Sequence, residues 1–261
     1  MKKIFLSIGI VIALIAIVLV GVFLVKGKTY NSQKPIATIQ IEGYEKPIKI
    51  ELDPQSAPNA VANFIKLANN GFYTNFKMSI KENEILGNES MEKAKLSNIM
   101  EYPQTDYVYG IKGDFLANKV ENLIKHKKGV ITMERDDYSY FGLYEEGYNS
   151  ANCNFAILTK DSENYNGYYA GFGEVIEGMD VLEAISATRV ETTSNDNNDN
   201  NDDNSNSDVN TITIKSITVD TFGIDYGLPT VVNYEENMNK INNLYSQYMN
   251  GSSVNSSNVT E

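Results

Sequence analysis

The sequence predicts a mainly β domain carrying two short helices, set behind an N-terminal transmembrane helix. Three observations carry that expectation. An uncharged, almost wholly apolar run fills Ile4 to Val25. Several later segments alternate apolar and polar residues at the two-residue period of half-buried strands, and two stretches repeat apolar residues at helical spacing. With 42% hydrophobic residues, 17 Tyr and 10 Phe, the chain has ample material for a core. Its 34 acidic against 22 basic residues give a net charge of -12. That field repels polyanions and, with no basic stripe to offset it, excludes nucleic acid as a partner. Cys153 is the single cysteine, which excludes an internal disulfide and any multi-cysteine metal site.

The first element is the apolar run, whose 22 residues follow Met1-Lys2-Lys3. At about 1.5 Å per helical residue it spans a hydrocarbon core of about 30 Å. It exceeds the apolar region of a cleaved signal peptide, and no small-x-small cleavage site precedes Lys26. An uncleaved anchor over residues 1–25 is therefore expected, with a cytoplasmic N-terminus and the rest of the chain exported and tethered to the cell membrane. Residues 26–35 read as a polar linker ending at Pro35. Ala37–Glu42 and Ile48–Leu52 then alternate as two strands joined through Gly43. After the Asp53-Pro54 turn, Ser56 is placed to cap a helix with Pro58 in its first turn. Val61, Phe64, Ile65 and Ala68 share one face of that helix, and Gly71 ends it.

Further strands are expected at Gly129–Met133, Asn154–Leu158 and Phe172–Ile176, and a short helix after Gly178 turns Val181, Leu182 and Ile185 inward. The stretch from Thr192 to Asp208 is almost entirely Asn, Asp and Ser, with nothing apolar to bury, and reads as a disordered loop over 192–209. It fails the EF-hand pattern: counted from Asp196, the sixth and twelfth positions hold Asn201 and Ser207, not Gly and Glu. In the strand that follows, Ile212 and Ile214 keep one phase while Ile217 and Val219 keep the other, so a bulge is expected near Lys215-Ser216. Within 229–250, Tyr234, Met238, Ile241, Tyr245 and Tyr248 form the stripe of an amphipathic helix expected to pack back on its own domain. The tail 251–261 is small and polar and is expected to be disordered.

Several segments, in order and spacing, resemble bacterial-type cyclophilins. They are Ile50-Glu-Leu through Ala57-Pro58, Asn63-Phe64-Ile65, Gly71-Phe72-Tyr73, Ile111-Lys-Gly-Asp-Phe115 and Lys125-His126-Lys-Lys-Gly129 through Met133. Asn149-Ser150-Ala151, Phe172 through Val181 and Ile214 through Gly223 complete the set. Each is weak alone; in register over about residues 36–228 they are specific. The resemblance implies an eight-stranded antiparallel barrel capped by two helices, and peptidyl-prolyl cis-trans isomerase activity on proline-containing polypeptides with no cofactor or metal. It implies a foldase for exported proteins, or alternatively a non-catalytic module that binds a peptide or an exported protein partner on the same fold.

Isomerisation needs an apolar cup for the proline ring and a preorganised donor for the twisted amide. In the family an arginine of a Phe-His-Arg motif supplies the donor. Here the motif reads Phe76-Lys77-Met78, so the arginine position falls on Met78. The family's pocket glutamine aligns with Leu86, two apolar pocket residues with Asn83 and Glu84, and Ser-Gln-Phe-Phe with Cys153-Asn154-Phe155-Ala156. Tyr165 and Tyr169 stand at the leucine and histidine positions, and Glu134 follows Met133 where the family has alanine. The resemblance thus places Phe76, Met78, Leu86, Met133, Glu134, Arg135, Asn154, Ala156, Tyr165 and Tyr169 along the groove, with Arg135 or Lys77 as surrogate donor. Weak or lost activity is expected. Cys153 and His126 are read as scaffold residues, not a catalytic pair. Tyr138, Tyr140, Tyr144, Tyr148, Tyr165, Tyr168 and Tyr169 cluster in and after an insertion. They serve either as barrel packing or as a peptide-binding surface.

Overall fold

A computed structural model describes residues 33–87, 89–90, 93–95, 107–190 and 210–255, with side chains as far as residue 247. The expected anchor, nearly all of the linker, the 192–208 stretch and residues 256–261 of the tail lie outside the described residues. Among those described, no helix is long and apolar enough to cross a membrane.

Alternation sets the strands. β1 (Ile36–Ile41) and β2 (Ile48–Leu52) turn Ala37, Ile39, Ile41, Ile48, Ile50 and Leu52 to one buried side, as the period of two requires. With β3 (Phe76–Ile80), β4 (Glu84–Gly87), β6 (Val130–Met133), β7 (Phe155–Leu158), β8 (Gly171–Glu177) and β9 (Thr211–Asp220) they close an antiparallel barrel in the order β1-β2-β8-β6-β7-β4-β3-β9. Closure leaves no free sheet edge. The expected bulge is present: Gln40 faces Ser216 while Ile41 faces Ile214, so Lys215 is the extra residue. Outside the barrel, β5 (Tyr109–Ile111) pairs with β10 (Val231–Asn233).

Helix α1 (Pro58–Asn69) buries Val61, Phe64, Ile65 and Ala68, and Gly71 beyond its end takes a φ of +72°. Phe64 meets Tyr73, Phe155 and Phe172 with ring centroids 5.3 to 5.4 Å apart. The expected Ser56 cap is not used. Asp53 accepts the Ser56 N–H, and the helix's own N–H groups at Asn59 and Ala60 are taken by the Asp114 carboxylate at 3.2 and 2.8 Å. A long-range carboxylate near the positive end of the helix does the work of a local hydroxyl.

The short α2 (Tyr144–Tyr148) lies in the insertion, and α3 (Met179–Ala187) buries Val181, Leu182 and Ile185 as expected. Gly178 before α3 must be glycine: its φ is +86°, and a Cβ there would lie 2.5 Å from the Pro47 carbonyl oxygen. Helix α4 (Tyr234–Asn255) starts later than the sequence suggests, because Val231–Asn233 are spent on the β5 ladder, and it runs five residues past the expected end at 250, taking in 251–255 of the tail expected to be disordered. It does pack back on its own domain. Ile241 is buried, and Tyr234 donates to Asp136 Oδ2 at 2.6 Å.

Candidate functional site

The strands β3, β4, β7 and β6 lie side by side, and their cross-strand partners sort every side chain to one of two faces. Ile80, Ile85, Ile157 and Ile131 form one row, buried in the core. Ser79, Leu86, Ala156 and Thr132 form the neighbouring row and face outward. Met78 pairs with Gly87 and Met133 with Phe155, so both belong to the inward set, as does Phe76. Met78 is 1% exposed. The expectation of Phe76, Met78 and Met133 on the groove wall is thereby corrected: all three are core residues. The outward side chains of β3 are Lys77 and Ser79, and neither is a guanidinium.

Leu86 and Ala156 do lie on the outer face. Beside them are Glu84, which is hydrogen-bonded to Tyr165, and Tyr169, whose ring centroid is 4.5 Å from that of Tyr165. Burial raises the pKa of Glu84 against the opposing effects of Tyr165 and Lys81, and its Oε2 has no hydrogen-bond partner among the described residues. Burial, with the charges of Glu84 and Asp136, pushes the Glu134 carboxyl up to about 7. Tyr165 is pushed up to about 12 by burial and by Glu84. The outer face therefore presents two interacting carboxyl groups and two tyrosines around Leu86 and Ala156.

Asn154 is a clamp, not a free amide. Its Nδ2 donates to the Glu89 carbonyl at 2.8 Å and its Oδ1 accepts the Glu89 N–H at 3.2 Å. Arg135 does not reach toward β3. Its Nε donates to the Tyr168 carbonyl and Nη1 to the Asp136 carbonyl, and Cζ lies over the rings of Tyr148, Tyr169 and Phe115. His126 is buried between Asn166 Oδ1 and Thr132 Oγ1, each 3.2 Å away, and burial lowers its pKa. Cys153 is buried, and its thiol is pushed up to about 12. The scaffold reading of both holds. Among the described residues no group of three His, Cys, Asp or Glu is placed to hold a metal.

The tyrosine cluster divides. Tyr138 is tied to Asp136 and Tyr234, whereas Tyr140, Tyr144 and Tyr168 are 77%, 60% and 59% exposed. Sequence reasoning missed Ser79 as the outward neighbour of Leu86. The signal was present in the alternation Phe-Lys-Met-Ser-Ile, which puts residue 78 in phase with two core residues.

A closed eight-stranded antiparallel barrel with this helix arrangement defines the cyclophilin class of fold. The family model for cyclophilin-type peptidyl-prolyl cis-trans isomerases matches residues 36–219. The chain is 26% identical to peptidyl-prolyl cis-trans isomerase A of Dickeya dadantii over 144 residues, 55% of this chain and 68% of that protein. The crystal structure of a Cryptosporidium parvum cyclophilin-type isomerase is similar at a TM-score of 0.50 with 19% identity, covering 72% of this chain and 98% of that one. The structure of that protein in the presence of the dipeptide Ala-Pro matches at 0.48, also with 19% identity, over 71% and 98%. The chain belongs to the cyclophilin-type peptidyl-prolyl cis-trans isomerase family.

Proposed function

We propose that this chain is a membrane-anchored, extracytoplasmic cyclophilin that holds exported polypeptides and catalyses their prolyl isomerisation weakly or not at all. One observation carries the reading: the outer face of β3, β4 and β7 offers no guanidinium and lines the groove with Glu84 and Glu134. An X-Pro bond crosses a barrier of about 20 kcal/mol set by amide resonance. A catalyst lowers it by donating a hydrogen bond to the twisted amide in a dry, apolar cup. Carboxyl groups are a poor substitute: ionised they accept and do not donate, and in either protonation state they make the cup polar and draw water. Losing one such donor costs about 3–4 kcal/mol of transition-state stabilisation. The exposed tyrosines meanwhile suit peptide contact, with large area at low entropy cost. Membrane attachment rests on the apolar run Ile4–Val25 and the lysines before it.

NMR exchange on a short prolyl peptide tests the catalytic half. The expected rate enhancement is at least about 100-fold below that of an ordinary cyclophilin, and an ordinary rate overturns the reading. Protease digestion of intact cells tests the topology. The barrel should be cleaved from outside, and full protection contradicts an exported domain.

A further inference from the structure

Arg135 leaves β6 at the start of the insertion, and its guanidinium is held on several sides. Two of its donors are taken by the carbonyls of Tyr168 and Asp136, the latter at 2.7 Å. Its Cζ is 5.0, 5.5 and 5.9 Å from the ring centroids of Tyr148, Tyr169 and Phe115. Gly147 lets the chain pass close by; a Cβ there would lie 3.3 Å from Nη1 and 3.1 Å from the Asp136 carbonyl oxygen. A guanidinium fixed in this way has given up its rotamer freedom before any ligand arrives.

What it lacks is a direct ion pair, although its charge reaches Glu134 and Asp137 and acts to lower the pKa of both. Among the described residues no carboxylate pairs with Arg135. The acids nearest in sequence make no hydrogen bond to it: Asp136 Oδ2 accepts from Tyr138 and Tyr234, Asp137 Oδ1 accepts the Ser139 N–H, and the Glu134 carboxyl is pushed up to about 7 by burial despite the Arg135 charge. The half-buried guanidinium thus meets acids through space but shares no hydrogen bond with a carboxylate among the described residues. Nη2 and the second Nη1 proton stay available, an edge of donors that matches the two oxygens of a carboxylate. Arg135 lines a cavity of about 240 Å³ between the insertion and residues 166–168, walled by Tyr138, Tyr144, Tyr148 and Tyr168. Asp137 also lines it and works against an anion.

The geometry points to this cavity as a subsite for a carboxylate carried by an extended polypeptide, seated on Arg135 while flanking residues lie on the exposed rings of Tyr144 and Tyr168. This rests on the reading that the face binds polypeptide, and it adds the chemical class that is recognised. The carboxylate comes either from an acidic side chain or from a chain terminus.

Isothermal titration of the full chain in detergent decides it. The probes are N-acetyl-Ala-Tyr-Glu-Pro-Ala-amide, its glutamine analogue, and the glutamine analogue as a free acid. The glutamate peptide should bind about tenfold tighter than the glutamine amide. A comparable gain in the free acid assigns a terminal carboxylate as the source. Arg135→Gln should erase the preference, Asp137→Asn should widen it, and Tyr144→Ala should weaken all three peptides alike. If Arg135→Gln does not fold, the Asp137→Asn widening remains as the test. Equal, measurable affinities for all three overturn the subsite and leave polypeptide binding standing. A preference that survives Arg135→Gln also overturns it, and no binding of any peptide overturns both.

Discussion

Met78 and Ser79 are neighbours in β3, yet one lies inside the barrel and the other outside, and this governs where a guanidinium donor can be introduced. Replacing Met78 by arginine would force an unpaired charge into the core between Phe76 and Ile80. The expected cost is at least about 3 kcal/mol, read as a lowered midpoint in urea. Ser79→Arg instead puts the guanidinium in the outward row beside Leu86 and should leave stability nearly unchanged. It should raise prolyl turnover on the order of tenfold, short of the 10²–10³ that an optimally placed donor supplies. Equal destabilisation by the two substitutions would contradict the register of β3. Glu134 makes a second prediction. Its folded pKa of about 7 exceeds the ordinary 4.5, so the folded state keeps a proton that the unfolded chain has released. Stability therefore falls as pH rises from about 4.5 to about 7 and stays lowered above it. Glu134→Gln should flatten that slope and raise stability at pH 8 by up to about 3 kcal/mol. A variant that loses stability at pH 8 would show the carboxylate to be held by favourable contacts.

At the scale of elements, legibility followed the reach of the interaction. The bulge at Lys215 could be read from a phase change among four apolar residues, because period and pleat are local. Helix α1 was equally legible in its buried face and its Gly71 stop, but its cap was not. Ser56 stands where a local cap belongs, whereas the carboxylate that caps the helix comes from Asp114, across the fold. No spacing rule reaches that far. Burial also pushes Asp114 up to about 6, against the pull of the Asn59 and Ala60 N–H groups. Asp114→Ala should cost about 1–2 kcal/mol by leaving two helix N–H groups unpaired. Ser56→Ala should cost under about 0.5 kcal/mol. Thermal melts of the two variants check the contrast, and a reversed order would restore the local cap. β10 stayed hidden for a different reason: three residues are too few to show a period.

Across the whole molecule, the barrel was legible from its repeated segments, whereas the groove was legible in composition but not in geometry. The residues that the resemblance sets at the arginine, glutamine and aromatic positions could be read one by one. That Met78 points inward, that Asn154 clamps Glu89 and that Arg135 turns to the tyrosines depend on register and on contacts made between distant segments. The same division predicts how the chain comes apart. β10 and α4 touch β5 and the insertion, through the Val231–Asn233 ladder, the Asp136–Tyr138–Tyr234 hydrogen bonds, the ring contact of Phe141 with Tyr245 and the Lys240–Glu146 ion pair. No strand of the closed barrel pairs with either. A chain ending at Thr230 should therefore keep slow hydrogen exchange in β1, β2, β6 and β8, the barrel unfolding as a separate cooperative unit. It should lose protection at Gly110, which pairs with Val232, and at 138–148, where the supporting contacts are gone, while the Ile111 N–H keeps its bond to the Ala151 carbonyl. The tyrosine cavity is built from that same insertion, so peptide affinity should fall with it while the barrel stays folded. Loss of protection throughout the barrel would mean instead that the C-terminal helix belongs to the folding unit itself.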